Sequence, residues 1–268
     1  MDELYLGRTA LITGASAGIG EKFARELHAR GANVILVARR ANKLMELCEE
    51  LHKERANSAR FLVADLGKQN SEDLNRVLEF IKANPIDILV NNAGVGSFGF
   101  FESLPIEREL EIVQLNVYAT TAIAHACIKG MKDRKFGAVI STASIAAFQP
   151  LPYMATYAAS KAFNFVQTVA LREELKSFNV RVLTVCPGPT QTEFFGVARV
   201  PGTATGVKRD SVETVVLQSL AALEKNKAFI VTGGRSKLMS LASRFFPTSF
   251  STWLVKKCLD PVMKVTID

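Results

Sequence analysis

Ser144, Tyr157 and Lys161 are the side chains of this sequence whose types and spacing suit acid–base work on a carbonyl oxygen. Tyr157 and Lys161 stand four positions apart in Thr156-Tyr157-Ala158-Ala159-Ser160-Lys161-Ala162, a run of good helix formers. Residues at i and i+4 share a helix face, so phenol and ammonium project the same way. A neighbouring cation favours the phenolate and is expected to bring the phenol down from its ordinary value near ~10. A phenol poised in this way is a proton donor near neutral pH. Ser144 follows the β-like run Ala138-Val139-Ile140, which places it at the carboxyl end of a strand. There its hydroxyl can polarise the same oxygen. Taken alone, Tyr-x-x-x-Lys fits two surface side chains equally well.

These residues need a frame to position them. Strand-like runs are Thr9–Thr13, Asn33–Ala38, Ala59–Ala64, Asp87–Asn91, Ala138–Ser141, Val180–Cys186 and Ala228–Val231. Helical patterns fill the intervals: Gly20–Arg30, about Asn42–Arg55, near Ser71–Ala83, a long one from about Ile106 to Lys132, the segment carrying Tyr157, and Ser211–Glu224. Near-continuous apolar strands alternating with helices predict an α/β, doubly wound domain, its parallel sheet covered on both faces. No linker, repeat or low-complexity stretch marks off a second domain.

The 268 residues are ample for one such core; 48% are apolar and 22% charged. The net charge of +7 is spread without a basic run of five or more. That fits an anionic cofactor better than nucleic acid, for which no helix-turn-helix or basic stripe is present. Cys48, Cys127, Cys186 and Cys258 form no C-x-x-C pair, and His28, His52 and His125 lack ligand spacing, so no metal site is expected. Met1 to Arg8 has no basic n-region or cleavable apolar core, and no stretch approaches eighteen apolar residues. The expected location is the cytoplasm.

The first turn, Thr13-Gly14-Ala15-Ser16-Ala17-Gly18-Ile19-Gly20, joins the first strand to the first helix. Gly14 allows a tight turn, Gly18 lets backbone approach a pyrophosphate, and Gly20 permits close helix–sheet packing; amides of the helix N-terminus meet the phosphates. This G-x-x-x-G-x-G turn and the Ser144/Tyr157/Lys161 set together resemble the short-chain dehydrogenase/reductase family, over about Leu6 to Gly233. The resemblance implies a single Rossmann-type domain. It also implies reversible hydride transfer between a nicotinamide cofactor and a carbonyl or alcohol carbon, with Tyr157 as general acid/base.

The resemblance assigns further residues. Asp65-Leu66 would cap the adenine pocket, and Asn92-Ala93-Gly94 would lie along the cofactor. Pro187-Gly188 would approach the nicotinamide, with Thr190 and Thr192 beside it, and Thr192 would bond its carboxamide. Tyr157 and Lys161 would also bind the nicotinamide ribose. Asn116 would be the fourth catalytic member, supporting a proton relay to Lys161. The family's habit implies a homodimer or homotetramer.

The end of the second strand decides between cofactors. An acidic residue there bonds a ribose 2′-hydroxyl, whereas an arginine accommodates a 2′-phosphate. The sequence reads Val37-Ala38-Arg39-Arg40, so Arg39, assisted by Ser16 and Arg40, points to NADP(H). Ala17 departs from many NADP(H)-preferring relatives, which carry a basic residue there.

Val95 to Phe101, Ala146 to Pro152, Tyr153 and a lid over about residues 189–209 predict an apolar pocket; Phe194, Phe195, Val197 and Val200 would form the lid's underside or, equally, the core of a short helix. A hydrophobic ketone, aldehyde, steroid-like or acyl compound fits it better than a sugar. The tail, 236–268, carries Leu238, Met239, Leu241, Phe245, Phe246, Phe250, Trp253, Leu254 and Val255 among Arg244, Lys256, Lys257 and Lys264. Packing on the core or burial in an oligomer interface is favoured over peripheral membrane contact. The rival reading of the whole chain is a regulator or scaffold that binds NADP(H) without turnover; the intact Ser144, Tyr157 and Lys161 speak against it.

Overall fold

In the computed structural model, residues 4–69, 71–200, 209–242 and 246–267 are described. The strands are β1 (Thr9–Thr13), β2 (Asn33–Ala38), β3 (Ala59–Val63), β4 (Ile88–Asn91), β5 (Gly137–Thr142), β6 (Val180–Cys186) and β7 (Phe229–Val231). The helices are α1 (Gly18–Ala29), α2 (Ala41–Glu54), α3 (Glu72–Ala83), α4 (Ile106–Val113), α5 (Thr120–Arg134), α6 (Ala155–Leu175), α7 (Phe194–Val197), α8 (Val212–Glu224), α9 (Gly234–Ala242) and α10 (Thr248–Ile267). The seven strands form one parallel sheet in the order β3-β2-β1-β4-β5-β6-β7. The order reverses between β1 and β4, and ligands of such sheets bind in the crevice outside the carboxyl ends at that reversal.

Each sheet face buries its own apolar layer. Phe23, Leu27, Leu44, Leu51 and Leu220 of α1, α2 and α8 cover one face, and Val77, Ile81, Ile123 and Leu175 of α3, α5 and α6 the other. Side-chain caps start α3 and α8: Ser71 accepts from Asp73 N and Ser211 from Thr214 N. No side chain caps α1.

The long helix expected from Ile106 to Lys132 differs in one respect. Its middle, Gln114–Ala119, widens into a π turn between α4 and α5. Such turns recur at functional sites. Asn116 sits in this one, fully buried.

The tail packs on the core. Val262 and Met263 of α10 are buried with Phe98, and Tyr153, Met154 and Val200 pack against them. Phe246, Phe250, Trp253 and Leu254 of the tail stay exposed. The side chains of Met239, Leu241, Arg244, Phe245 and Lys264, and lid residues 201–208, lie outside the described residues. Among the described residues no helix is long and apolar enough to cross a membrane.

Candidate active site

The carboxyl ends of β1, β2, β4, β5 and β6 open onto a cavity of about 890 Å³. At its centre β5 ends and Ser144 begins a short 3₁₀ turn, Ile145–Phe148, with its Oγ accepting from Ala146 N at 3.1 Å. Tyr157 and Lys161 rise from the first turns of α6; both are buried, and both line the cavity with Ser144. Lys161 Nζ donates to the Thr142 carbonyl at 2.9 Å and lies 5.9 Å from the Tyr157 ring centroid.

The electrostatics differ from the sequence expectation. Burial pushes the Tyr157 phenol up to about 12, and the hydrogen bond with Ser144 is what pulls it back. Burial likewise brings the Lys161 ammonium down to about 8, against the Cys186 sulfur beside it. Desolvation outweighs the charge effect argued from spacing, because the ammonium is aimed at Thr142 rather than at the phenol. The phenol therefore keeps its proton at neutral pH, which is the state a proton donor needs.

Asn116 ties this centre to the β4 side. Its Nδ2 donates to Val95 O and Ser160 Oγ, both at 2.9 Å, and its Oδ1 accepts from Val95 N at 3.0 Å. A Cβ on Gly94 would stand 3.1 Å from Lys161 Nζ and 3.2 Å from Asn116 Oδ1. Bare backbone is what lets the chain pass between them.

The other end of the cavity is built to take phosphates. Gly14 and Gly18 have φ of +68° and +57°, and a Cβ on Gly20 would collide with the Gly14 carbonyl. The N-terminus of α1, which no side chain caps, lies at this turn, where helix amides can meet an anion. Thr13 Oγ1 accepts from Asn92 N at 2.9 Å and from Ala93 N at 3.0 Å, which fixes the two turns against each other. Ser16, Ile19, Asp65, Leu66, Asn92, Ala93 and Gly94 all line the cavity. A dinucleotide's pyrophosphate fits a cradle that any side chain on these glycines would fill.

The two arginines after β2 take different partners. Arg40 lies over the glycine turn, with Nε 3.2 Å and Nη2 3.1 Å from Ser16 Oγ and Nη1 2.8 Å from Glu193 Oε2. Arg39 turns toward α4 and donates to Glu111 Oε1 at 3.2 Å. Glu111, Glu193 and Arg108 were not singled out by the sequence. Only the i, i+3 spacing of Arg108 and Glu111 on α4 hinted at a pair.

Pro187, Gly188, Thr190 and Thr192 line the cavity after β6. Thr190 Oγ1 donates to Gly188 O at 2.9 Å, and Thr192 Oγ1 accepts from Phe194 N at 3.3 Å. Phe194, Phe195, Val197 and Val200 also line it, with the Phe194 ring 5.1 Å from that of Tyr157. Phe194, Phe195 and Val197 of the expected lid underside fall in the short helix α7, and Val200 follows it. From the other two predicted stretches, Val95, Phe98, Ala146, Gln149 and Leu151 line the cavity, joined by Phe250, Leu254 and Leu259 of α10. Phe100, Phe101 and Tyr153 do not. The first two are exposed, while Tyr153 takes φ +68° and donates to Asp260 Oδ1 of α10 at 2.6 Å.

The family model described as short chain dehydrogenase matches residues 8–200. The chain belongs to the short-chain dehydrogenase family. Among curated relatives, the very-long-chain 3-oxoacyl-CoA reductase of Coccidioides immitis (strain RS) is 34% identical over 187 residues, 67% of this chain and 52% of its own length. The chain thus spans about half the length of such relatives. Its structure is similar to a short-chain dehydrogenase from Sphingobium yanoikuyae in complex with NADPH, with a TM-score of 0.79 and 30% identity, covering 88% of this chain and 94% of that one. It is also similar to a 3-ketoacyl-(acyl-carrier-protein) reductase from Brucella melitensis complexed with NADH, with a TM-score of 0.74 and 26% identity, covering 86% and 99%. Short-chain dehydrogenase neighbours therefore hold either nicotinamide cofactor, and the choice in this chain falls to its own residues.

Proposed function

We propose that the chain is an NADP(H)-dependent oxidoreductase that reduces the carbonyl of an apolar substrate, or oxidises the matching alcohol. The observation that carries the reading is that Ser144, Tyr157 and Lys161 line one cavity together with Ser16, Arg39 and Arg40. A scaffold that merely held a dinucleotide would have no use for a buried, protonated phenol there.

Bound NADPH supplies the hydride. Tyr157 donates the proton to the carbonyl oxygen as negative charge develops on it, and Ser144 orients that oxygen and stabilises the charge. Lys161, charged below about pH 8, stands where it would hold the nicotinamide ribose and steady the phenolate left by proton transfer. Asn116 would keep the Lys161 side of the site in register through Val95 and Ser160. Gly14, Gly18, Ile19 and Gly20 would take the pyrophosphate, Asp65 and Leu66 the adenine, and Asn92 to Gly94 the run between. Pro187, Gly188, Thr190 and Thr192 would meet the nicotinamide.

Among apolar carbonyl compounds we place 3-oxoacyl thioesters first. The cavity wall is aliphatic and aromatic from the lid to α10, and the curated relatives include 3-oxoacyl-CoA reductases. Steady-state NADPH and NADH oxidation with 3-oxoacyl thioesters of graded chain length, simple ketones and steroid ketones tests this. The reading expects NADPH-dependent turnover with kcat/KM rising with acyl length. NADH preference would remove the cofactor assignment, and turnover confined to short polar ketones would remove the substrate class.

A further inference from the structure

Arg39 is the residue on which the 2′-phosphate argument chiefly rests, yet its guanidinium already has partners. Its Nη1 donates to Glu111 Oε1 at 3.2 Å and stands 3.8 Å from Asp65 Oδ2. Glu111 is itself anchored from behind, its Oε2 accepting from Arg108 Nη1 at 2.6 Å. Arg108 is pinned in turn to the Gly96 carbonyl through Nε at 3.1 Å and Nη2 at 2.7 Å, and reaches the Val197 carbonyl of the lid at 3.3 Å. Glu111 is 23% exposed, whereas Glu193, the carboxylate opposite Arg40, is 63% exposed. Glu111 therefore cannot swing into solvent as a free surface acid would.

A fixed carboxylate here acts on the two cofactors with opposite sign. A 2′-phosphate must displace it from Arg39 and then sit near a like charge. A 2′-hydroxyl meets neither cost. We propose that Glu111 is a specificity-determining residue that weakens the 2′-phosphate preference created by Ser16, Arg39 and Arg40, and so keeps NADH within reach of the site. This rests on the reading that the cavity binds a nicotinamide dinucleotide.

Calorimetric Kd values for NADPH and NADH, measured on the wild type and on Glu111→Gln, test it. The amide removes the charge and keeps an acceptor for one arginine. The Kd ratio of NADH to NADPH is expected to rise roughly two- to fivefold, the scale of a partly exposed ion pair. Glu111→Asp, which draws the carboxylate back, should move the ratio the same way and serves if the first variant fails to fold. In an Arg39→Ala background the same substitution should shift the ratio less, since the competed-for cation is gone. An unchanged or fallen ratio in a folded Glu111 variant overturns the proposal; a fall would mean that Glu111 pre-organises Arg39 for phosphate. A wild type without 2′-phosphate preference contradicts the NADP(H) assignment alone, because a ratio that still rises in Glu111→Gln sustains the inference.

Discussion

Lys161 donates its ammonium proton to the Thr142 carbonyl at 2.9 Å, at the end of β5, inside a site that buries it almost completely. The bond holds Nζ in place, but burial still brings the group down to about 8. Unfolded, the side chain keeps its proton to about pH 10. Between those values the unfolded chain binds more protons, so stability rises with pH there, and the cost is fully present below about pH 8. The cost is on the order of 3 kcal/mol, offset by about 1 for the Thr142 bond. Lys161→Met should therefore stabilise the cofactor-free protein in urea titrations at pH 7, with the gain shrinking toward pH 10, while turnover collapses. A variant less stable at pH 7 would contradict this.

Asn116 satisfies both backbone groups of Val95 from inside a π turn. Asn116→Ala leaves a buried N–H and a buried carbonyl without this partner. The expected loss is about 1–3 kcal/mol in denaturant midpoint analysis. Activity should fall further than stability explains, because Gly94, next to Val95 in the loop after β4, borders Lys161.

A Cβ on Gly96 would stand 2.8 Å from the Phe194 ring and 3.2 Å from Cδ2 of Tyr157. Gly96→Ala must push the lid ring or the phenol aside. NADPH affinity, set at the other end of the cavity, should hold by calorimetry while kcat/KM drops about tenfold or more.

Tyr153 fastens α10 to the loop ahead of α6 through Asp260, which Lys256 also bonds at 2.9 Å. Its ring packs edge-on to Phe98 and Phe100. Tyr153→Phe keeps the ring and removes the tether. Hydrogen exchange in α10 should quicken, and KM should rise for long substrates more than for short ones, since Leu254 and Leu259 of α10 line the cavity.

The sheet was legible because its strands are short, apolar and punctuated, a pattern that fixes both element type and parallel order. Spacing alone put Tyr157 and Lys161 on one face of α6. It could not set the balance between burial and charge: the depth of the pocket and the aim of Lys161 toward Thr142 are tertiary facts. Asn116 was placed by family likeness, since a π turn leaves no mark in local propensity. The partners of Arg39 and Arg40 come from α4 and from the start of the lid, 72 and 153 residues away, and no local pattern encodes such contacts. Tyr153 was assigned to the pocket wall by composition; its positive φ and its bond to α10 direct it elsewhere.

The central claim is that Tyr157 delivers a proton to a carbonyl as NADPH delivers the hydride. The most direct measurement uses NADPH deuterated at the transferable C4 position and a 3-oxoacyl thioester, with mass spectrometry of the product from wild type and Tyr157→Phe. The account predicts deuterium at the new carbinol carbon for the wild type, and a loss of about 10²–10⁴ in rate for the variant with NADPH binding retained. Tight NADPH binding with no labelled product, or a wild-type rate of product formation by Tyr157→Phe, would contradict it.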